Sequence, residues 1–450
     1  MKFTLSWLKE HLDTTAGVDE ISETLTRIGL EVEEVVNPAA ALDGFITARI
    51  DKVDKHPDSD HLHILAVNTG KETLQVVCGA PNVHEGLVGI YAPTGALIPA
   101  YGERLKVAKI RGVESMGMMC SEKELLVGDD HNGIIELPAE TKAGIPAAEG
   151  LNIDPVFEVS ITPNRAECLG VRGIARDLAA AGLGRLKPLD IPAIRGTFKS
   201  PVKVTVSCPE ACPTYTARYI RNVNNKAETP KWMKDRLTAI GLRPISALVD
   251  ITNYILHATG QPLHCFDLNR IAGGKVIVKP AVEGEKFVTL DEVERTLTSN
   301  DLMICNEKES MCIAGVFGGL KSGVTNDTTD IFLESACFNP TWVRKTARRQ
   351  GLNTDSSFRF ERGVDPNDTL YALKRAALLV KELAGGEICG EVVDIYPNPV
   401  APFPVTLTYE KIDTLIGKHI PADTVKSILD SLEIKIVSET EKELSLQVPT

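Results

Sequence analysis

The segment VDITNYILHATGQPLHCFDLNR, residues 249–270, sets one histidine, His264, between Leu263 and Cys265. An imidazole in apolar company is either a packed core group or a reagent, because small changes of environment move its charge across neutral pH. The adjacent Cys265 invites a thiol-protease reading, but neighbours on a strand point to opposite faces and cannot form a nucleophile–base pair. No Gly-x-Ser-x-Gly elbow surrounds any serine. A second candidate is Glu334, the one carboxylate in the core of the strand-like run DIFLESACFNP, residues 330–340. A carboxylate between apolar neighbours must be paired or hydrogen-bonded to be tolerated, so Glu334 is anchored by the fold or anchors a ligand. The glycine-rich SMCIAGVFGGLKSGV, residues 310–324, matches no phosphate-loop spacing and permits a tight hairpin or close backbone approach to a ligand.

Two further segments gather positive charge. In LKVAKIRGVESMGMMCSEKELL, residues 105–126, Lys106, Lys109 and Arg111 precede a turn rich in Gly, Ser and Met. Basic residues and pliant Met side chains suit an RNA backbone and exposed bases; equally, strands need solvated outer faces and Lys supplies them. In VRKTARRQGLNTDSSFRFERG, residues 343–363, Arg344, Lys345, Arg348, Arg349, Arg359 and Arg362 face only Asp355 and Glu361. That excess could neutralise several phosphates or could be a solvated helix surface. The formal net charge of −12 argues against loose, charge-driven nucleic-acid binding and leaves room for a local basic groove.

The elements that must position these groups follow from pattern. A chain of 450 residues suggests about three domains. Hydrophobic content of 43% is ordinary for a globular protein, no apolar run is long enough to cross a bilayer, and the N-terminus lacks a signal-peptide pattern, so a cytoplasmic location is expected. The ten cysteines have no zinc-site spacing and read as buried hydrophobes, without disulfides. Two short helices, the first capped by Ser6 and the second ended by Gly29, lead to a strand. From residue 39 to 149, FITARIDKV, LHILAVNTG, TLQVVCGA and GLVGIYAP alternate with turns, the pattern of a small antiparallel barrel inserted in the N-terminal unit. NRAECLGVRGIARDLAAAGLG then reads as a helix, and 186–202 as a linker. A mixed α/β unit follows to about residue 400, with strands VKVTV and KVIVKPA and helices TPKWMKDRLTAIGL and TLYALKRAALLVKELAGG. After a second linker, NPVAPFP, two helices and the strands IKIVSE and ELSLQVPT suggest a helix-turn-helix or winged unit, cut short at residue 450.

This order and these words together resemble the N-terminal half of the bacterial phenylalanine–tRNA ligase beta-subunit family, from residue 1 to 450. ITARIDKVDKHPDSDHLHILAVNTG and RGVESMGMMCSEKEL are similar to its tRNA-binding OB-fold. VDITNYILHATGQPLHCFDL, IAGVFGG, LESACFNP and TARRQGLNTDSSFRFERGVDP are similar to its editing module. The resemblance implies a multidomain α/β and α+β protein. Its parts are a helical α+β N-terminal domain (1–38 plus 150–190), the OB-fold insertion (39–149), an aminoacyl-tRNA-hydrolysing module (200–400) and a truncated winged or helix-turn-helix-like start (401–450). It further implies an (αβ)₂ heterotetramer whose alpha subunit attaches phenylalanine to tRNA(Phe) with ATP and Mg²⁺, while the beta subunit binds tRNA and hydrolyses tRNA mischarged with tyrosine.

Carried over by motif, Thr252, Asn253, His264 and Glu334 do the chemistry of the editing pocket, with Gly315, Thr354 and Ser356 lining it. Glu334 partners the tyrosine hydroxyl; His264, Thr252 and Asn253 hold the amino group or ester and a water. Neither a covalent intermediate nor a metal is expected there, and the family's Mg²⁺ ligands are expected past residue 450. Lys106, Lys109, Arg111, Arg348 and Arg349 are the expected tRNA contacts. Two positions depart from the family pattern: Ser356 stands where Ala is common, and Phe358 where His is frequent. The competing readings are a non-catalytic RNA-binding and assembly module, disfavoured by His264 with Glu334, and a free-standing aminoacyl-tRNA deacylase, disfavoured by the cut-short C-terminal unit.

Overall fold

The strand Ile331–Cys337 is buried at every position, which fits its nearly continuous apolar run: a strand covered on both faces has no polar side to show. In the computed structural model, which describes residues 1–189, 191–196 and 198–450, it lies between Leu263–Asp267 on one edge and Thr214–Arg221 on the other. Both pairings are antiparallel. Glu387–Ile388 and Val393–Ile395 extend the sheet by pairing with Thr214–Arg221. A second sheet of five strands runs Lys203–Val206, Lys275–Pro280, Leu302–Cys305, Ser310–Ile313, Phe317–Gly318, with only its first pair parallel. Phe332, Phe266 and Tyr215 of the first sheet share one apolar core with Val276, Val278 and Ile304 of the second. The helices Ala247–Thr259 and Thr369–Leu383 pack against the first sheet and against each other. Side chains alternate along a strand, so Glu334, between Phe332 and Ala336, faces the inter-sheet core, as does His264, two residues from Phe266.

Contact within the chain divides it into two units, Met1–Glu34 with Phe157–Thr450, and Val35–Val156. The second is built on five antiparallel strands in the order Met118–Met119, Val88–Ala92, Ile46–Lys55, His63–Asn68, Thr73–Cys78. A register shift between Ile50 and Lys52 bends the long strand. The sheet curls until its ends meet: Met116 N–H donates to Gln75 O at 2.9 Å, and Val77 N–H to Ser115 Oγ at 3.0 Å. The result is a nearly closed barrel-like sheet. From it projects the hairpin Ala108–Ile110/Val113–Ser115, whose two-residue turn has Arg111 at φ 45° and Gly112 at φ 86°, the left-handed pair that matches strand twist.

Several local expectations are corrected. The first helix, Leu5–His11, is capped by Thr4, whose hydroxyl accepts from Trp7 N–H, rather than by Ser6. The run beginning NRAECLG is helical only over Val171–Ala180, after a 3-10 turn at Ala166–Leu169. There Gly170 fits so closely against Thr259 and Gly260 that a Cβ would stand 2.4 Å from the Gly260 nitrogen. Part of NPVAPFP is a strand, Phe403–Thr408, at the edge of a three-stranded sheet with Glu443–Val448 and Lys435–Glu439; Pro404 is tolerated because an edge leaves its missing donor unneeded. All ten cysteines are free thiols and buried. Among the described residues no helix is long and apolar enough to cross a membrane.

Candidate functional site

A cavity of about 520 Å³ opens at the edge of the first sheet, a size typical of small-ligand sites. Several separated stretches of chain line it. Val249, Thr252, Asn253 and Leu256 form one face of the helix Ala247–Thr259, at the spacing i, i+3, i+4, i+7. His264 comes from the edge strand and Glu334 from the strand beside it, directly opposite in register. On its other side Glu334 is opposed by Ala217, a small neighbour. Gly315 lies in the turn of the second sheet at φ 69°, where a Cβ would meet Phe338, Phe360 and Val343 at 2.9, 3.0 and 3.1 Å. Thr354 and Ser356 open the helix Asp355–Phe360. Thr354 Oγ1 accepts from Ser357 N–H and donates to Val316 O at 3.0 Å, tying this helix to the glycine turn. All seven residues expected in the pocket therefore line one cavity.

Its electrostatics are unusual. Glu334 is 4% exposed, its Oε2 has no hydrogen-bond partner among the described residues, and burial pushes its carboxyl up to about 8. The fully buried Tyr215 hydroxyl lies near enough to moderate that rise without making a well-formed hydrogen bond. His264 is half-buried as a residue, but Nε2 is sealed and unpartnered, and burial lowers the imidazole to about 4. At neutral pH the site thus holds a neutral imidazole and a largely protonated carboxyl, each with an unused polar atom. The ring is set edge-on to Phe266, with centroids 4.4 Å apart. Burial raises the Cys265 thiol well above its ordinary range, so no thiolate nucleophile is available beside it. Such a site can take up a neutral polar group within an apolar pocket and orient a water.

The expected basic contacts separate into two kinds. Lys106, Lys109 and Arg111 are exposed on and before the projecting hairpin, with Arg111 donating to Asp58 O at 2.7 Å. Arg344, Lys345 and Arg348 are exposed on the helix Pro340–Gln350. Arg349 is exposed as well, but pairs with the fully buried Asp301. Arg359 is 3% exposed, and Arg362 pairs with Glu361 and lies 3.5 Å above the Phe358 ring. Half of the apparent excess is therefore engaged by partners within the chain. Phe358, one of the two residues noted above as departures, supports that arginine.

Tyr215 and Leu290 went unnoticed in the sequence. Tyr215 was findable: TYTARYIR alternates, and its position puts an aromatic hydroxyl one diagonal step from Glu334. Leu290, in a short hairpin loop, carries no local signal.

Residues 211–385, which contain every cavity residue named above, match the B3/4 domain family, and residues 45–146 match the putative tRNA binding domain family. Among curated proteins, the phenylalanine–tRNA ligase beta subunit of Bacteroides fragilis is 52% identical over 100% of this chain and 56% of its own length. That of Mesorhizobium japonicum is 46% identical over 97% of this chain and 54% of its own. The chain thus spans about half the length of the curated relatives it matches. A solved N-terminal fragment of the phenylalanyl-tRNA synthetase beta subunit from Pyrococcus horikoshii is similar at TM-score 0.33 and 15% identity, covering 66% of this chain and 82% of that one, a distant likeness on which nothing below depends.

Proposed function

Because the chain belongs to the bacterial-type phenylalanine–tRNA ligase beta-subunit family, we propose that its cavity is a hydrolytic editing site that removes tyrosine from mischarged tRNA(Phe). The observation that carries this reading is the pair of buried, unpartnered polar atoms, His264 Nε2 and Glu334 Oε2, in one cavity with Thr252, Asn253, Gly315, Thr354 and Ser356. The wider reading has the subunit bind tRNA and assemble as an (αβ)₂ heterotetramer with an alpha subunit that performs the ATP-dependent phenylalanylation. The barrel-like unit is then an OB-fold for tRNA, and residues 401–450 belong to a winged or helix-turn-helix-like domain.

The chemistry follows from the two neutral groups. A synthetic pocket shaped for phenylalanine rejects an added hydroxyl only weakly, so a second site must recognise that hydroxyl. The protonated Glu334 carboxyl can both donate to and accept from a tyrosine phenol. Phenylalanine would leave Oε2 unpaired, at a cost of about 1–3 kcal/mol. Neutral His264, with Thr252 and Asn253, holds the ester and a water at its carbonyl carbon. The water oxygen bonds to that carbon, the ester C–O bond breaks, and the ribose oxygen leaves with a proton; the products are tyrosine and uncharged tRNA. Positioning contributes more than proton transfer here.

Magnesium and ATP belong to the aminoacylation assigned to the alpha subunit. Among the described residues, one group could hold a metal ion, Glu167, Cys168 and Asp177. The Arg165 guanidinium already binds both of its carboxylates, and a thiol is a poor magnesium ligand, so the group does not fit and no step runs through it. The test is hydrolysis of tyrosyl- and phenylalanyl-tRNA by Glu334→Ala. The tyrosine rate should fall roughly tenfold or more with the phenylalanine rate little changed; equal rates to the unmodified chain on both would overturn the assignment.

A further inference from the structure

A second cavity, of about 410 Å³, shares Thr354 and Asp355 with the first. His257 and Arg359 stand in its wall, and both are more than nine-tenths buried. Every N–H of Arg359 is committed. Nε donates to Leu169 O at 3.0 Å, Nη1 to Asp355 O and Oδ1 at 3.0 and 3.2 Å, and Nη2 to His257 Nδ1 and Met1 Sδ at 3.2 and 3.7 Å. A guanidinium has no lone pair to offer, so His257 Nδ1 must be the acceptor and the ring proton must sit on Nε2. That fixes a donor, Nε2–H, which is sealed from solvent and has no partner among the described residues. Asp355 Oδ2 stands 3.9 Å from it, beyond hydrogen-bond reach. A fixed, unpartnered donor on a residue that lines a cavity calls for an acceptor. The lining also carries Arg359 and Lys2 against a single carboxylate, Asp355; Lys2 is paired with Glu158 at 3.0 Å.

We propose that this second cavity binds an anionic phosphodiester oxygen, which accepts from His257 Nε2–H, and that it holds the backbone of the RNA whose aminoacyl end enters the first cavity. The second half of the proposal rests on the editing reading. Two cavities joined through Thr354–Asp355 would then grip one RNA end at two points, the ester in one and a backbone phosphate in the other. Arg359 acts through His257, as the group that fixes its tautomer.

The test is binding of the deacylated trinucleotide CpCpA, of adenosine and of inorganic phosphate to the whole chain by titration calorimetry. The His257→Asn and His257→Gln variants are measured alongside. Asn keeps an acceptor near the Nδ1 position for Arg359 and loses the Nε2 donor; Gln restores a donor there. CpCpA should bind about tenfold more weakly to His257→Asn and recover with His257→Gln, while adenosine is unaffected. Unchanged CpCpA binding, or equal weakening of CpCpA and adenosine, would overturn the proposal. Phosphate binding that depends on His257, without CpCpA binding, would assign the cavity to a free anion and overturn the RNA half. Binding is read without any hydrolysis, so this proposal and the editing reading fail separately.

Discussion

At the scale of single residues, the site depends on burying two titratable groups without partners. Glu334 is raised from its ordinary value to about 8, so between about pH 4.5 and 8 the folded chain holds a proton that the unfolded chain releases. Its contribution to stability is complete below that window and is lost as pH rises through it. His264 is lowered to about 4, so the unfolded chain binds the extra proton and stability grows with pH from about 4 to 6.5. Glu334→Gln should flatten the fall of the urea midpoint between pH 5 and 8; an unaltered slope would show that the carboxyl is ionised in the fold. A neutral imidazole at pH 5.5 also predicts that His264-dependent hydrolysis keeps its rate there, where an unperturbed histidine would have lost most of it. The residues themselves were legible: a histidine in apolar company and a carboxylate in an apolar strand are sequence-level anomalies. Their protonation was not, because it depends on how completely two sheets and a helix exclude water.

At the scale of elements, the pocket needs a left-handed turn and a capped helix held together. Gly315→Ala should destabilise the chain by at least about 1–2 kcal/mol, since φ 69° is strained for alanine and its Cβ would crowd Phe338 and Phe360. Thr354→Ala should cost about 1 kcal/mol through the lost cap and should slow hydrolysis by loosening the tie to Val316; Thr354→Ser should restore both. Urea midpoints and deacylation rates on the same samples check these. Strands such as Ile46–Lys55 and Lys275–Pro280 were readable because alternation or a continuous apolar run is imposed locally by burial. The helix Ala247–Thr259 was not, because nearly every position but the cavity-facing ones is buried, which erases the one-sided pattern. Its Ser246 makes no side-chain cap bond either.

At the scale of the molecule, the proposed function requires an acidic chain to bind RNA through local charge. Replacing Lys106, Lys109 and Arg111 by Ala should weaken tRNA binding and reduce its salt slope by up to about 3. Arg349→Ala should leave that slope unchanged and lower stability instead, because it strands Asp301 as a buried unpaired carboxylate. The sequence counted those arginines together; only the fold separates those facing solvent from those tying segments together.

The most direct measurement is hydrolysis of tyrosyl-tRNA(Phe) beside phenylalanyl-tRNA(Phe), by this chain and by His264→Ala. The account predicts preferential release of tyrosine, lost by at least tenfold in the variant. Release of both amino acids at similar rates, or release of tyrosine indifferent to His264, would contradict it.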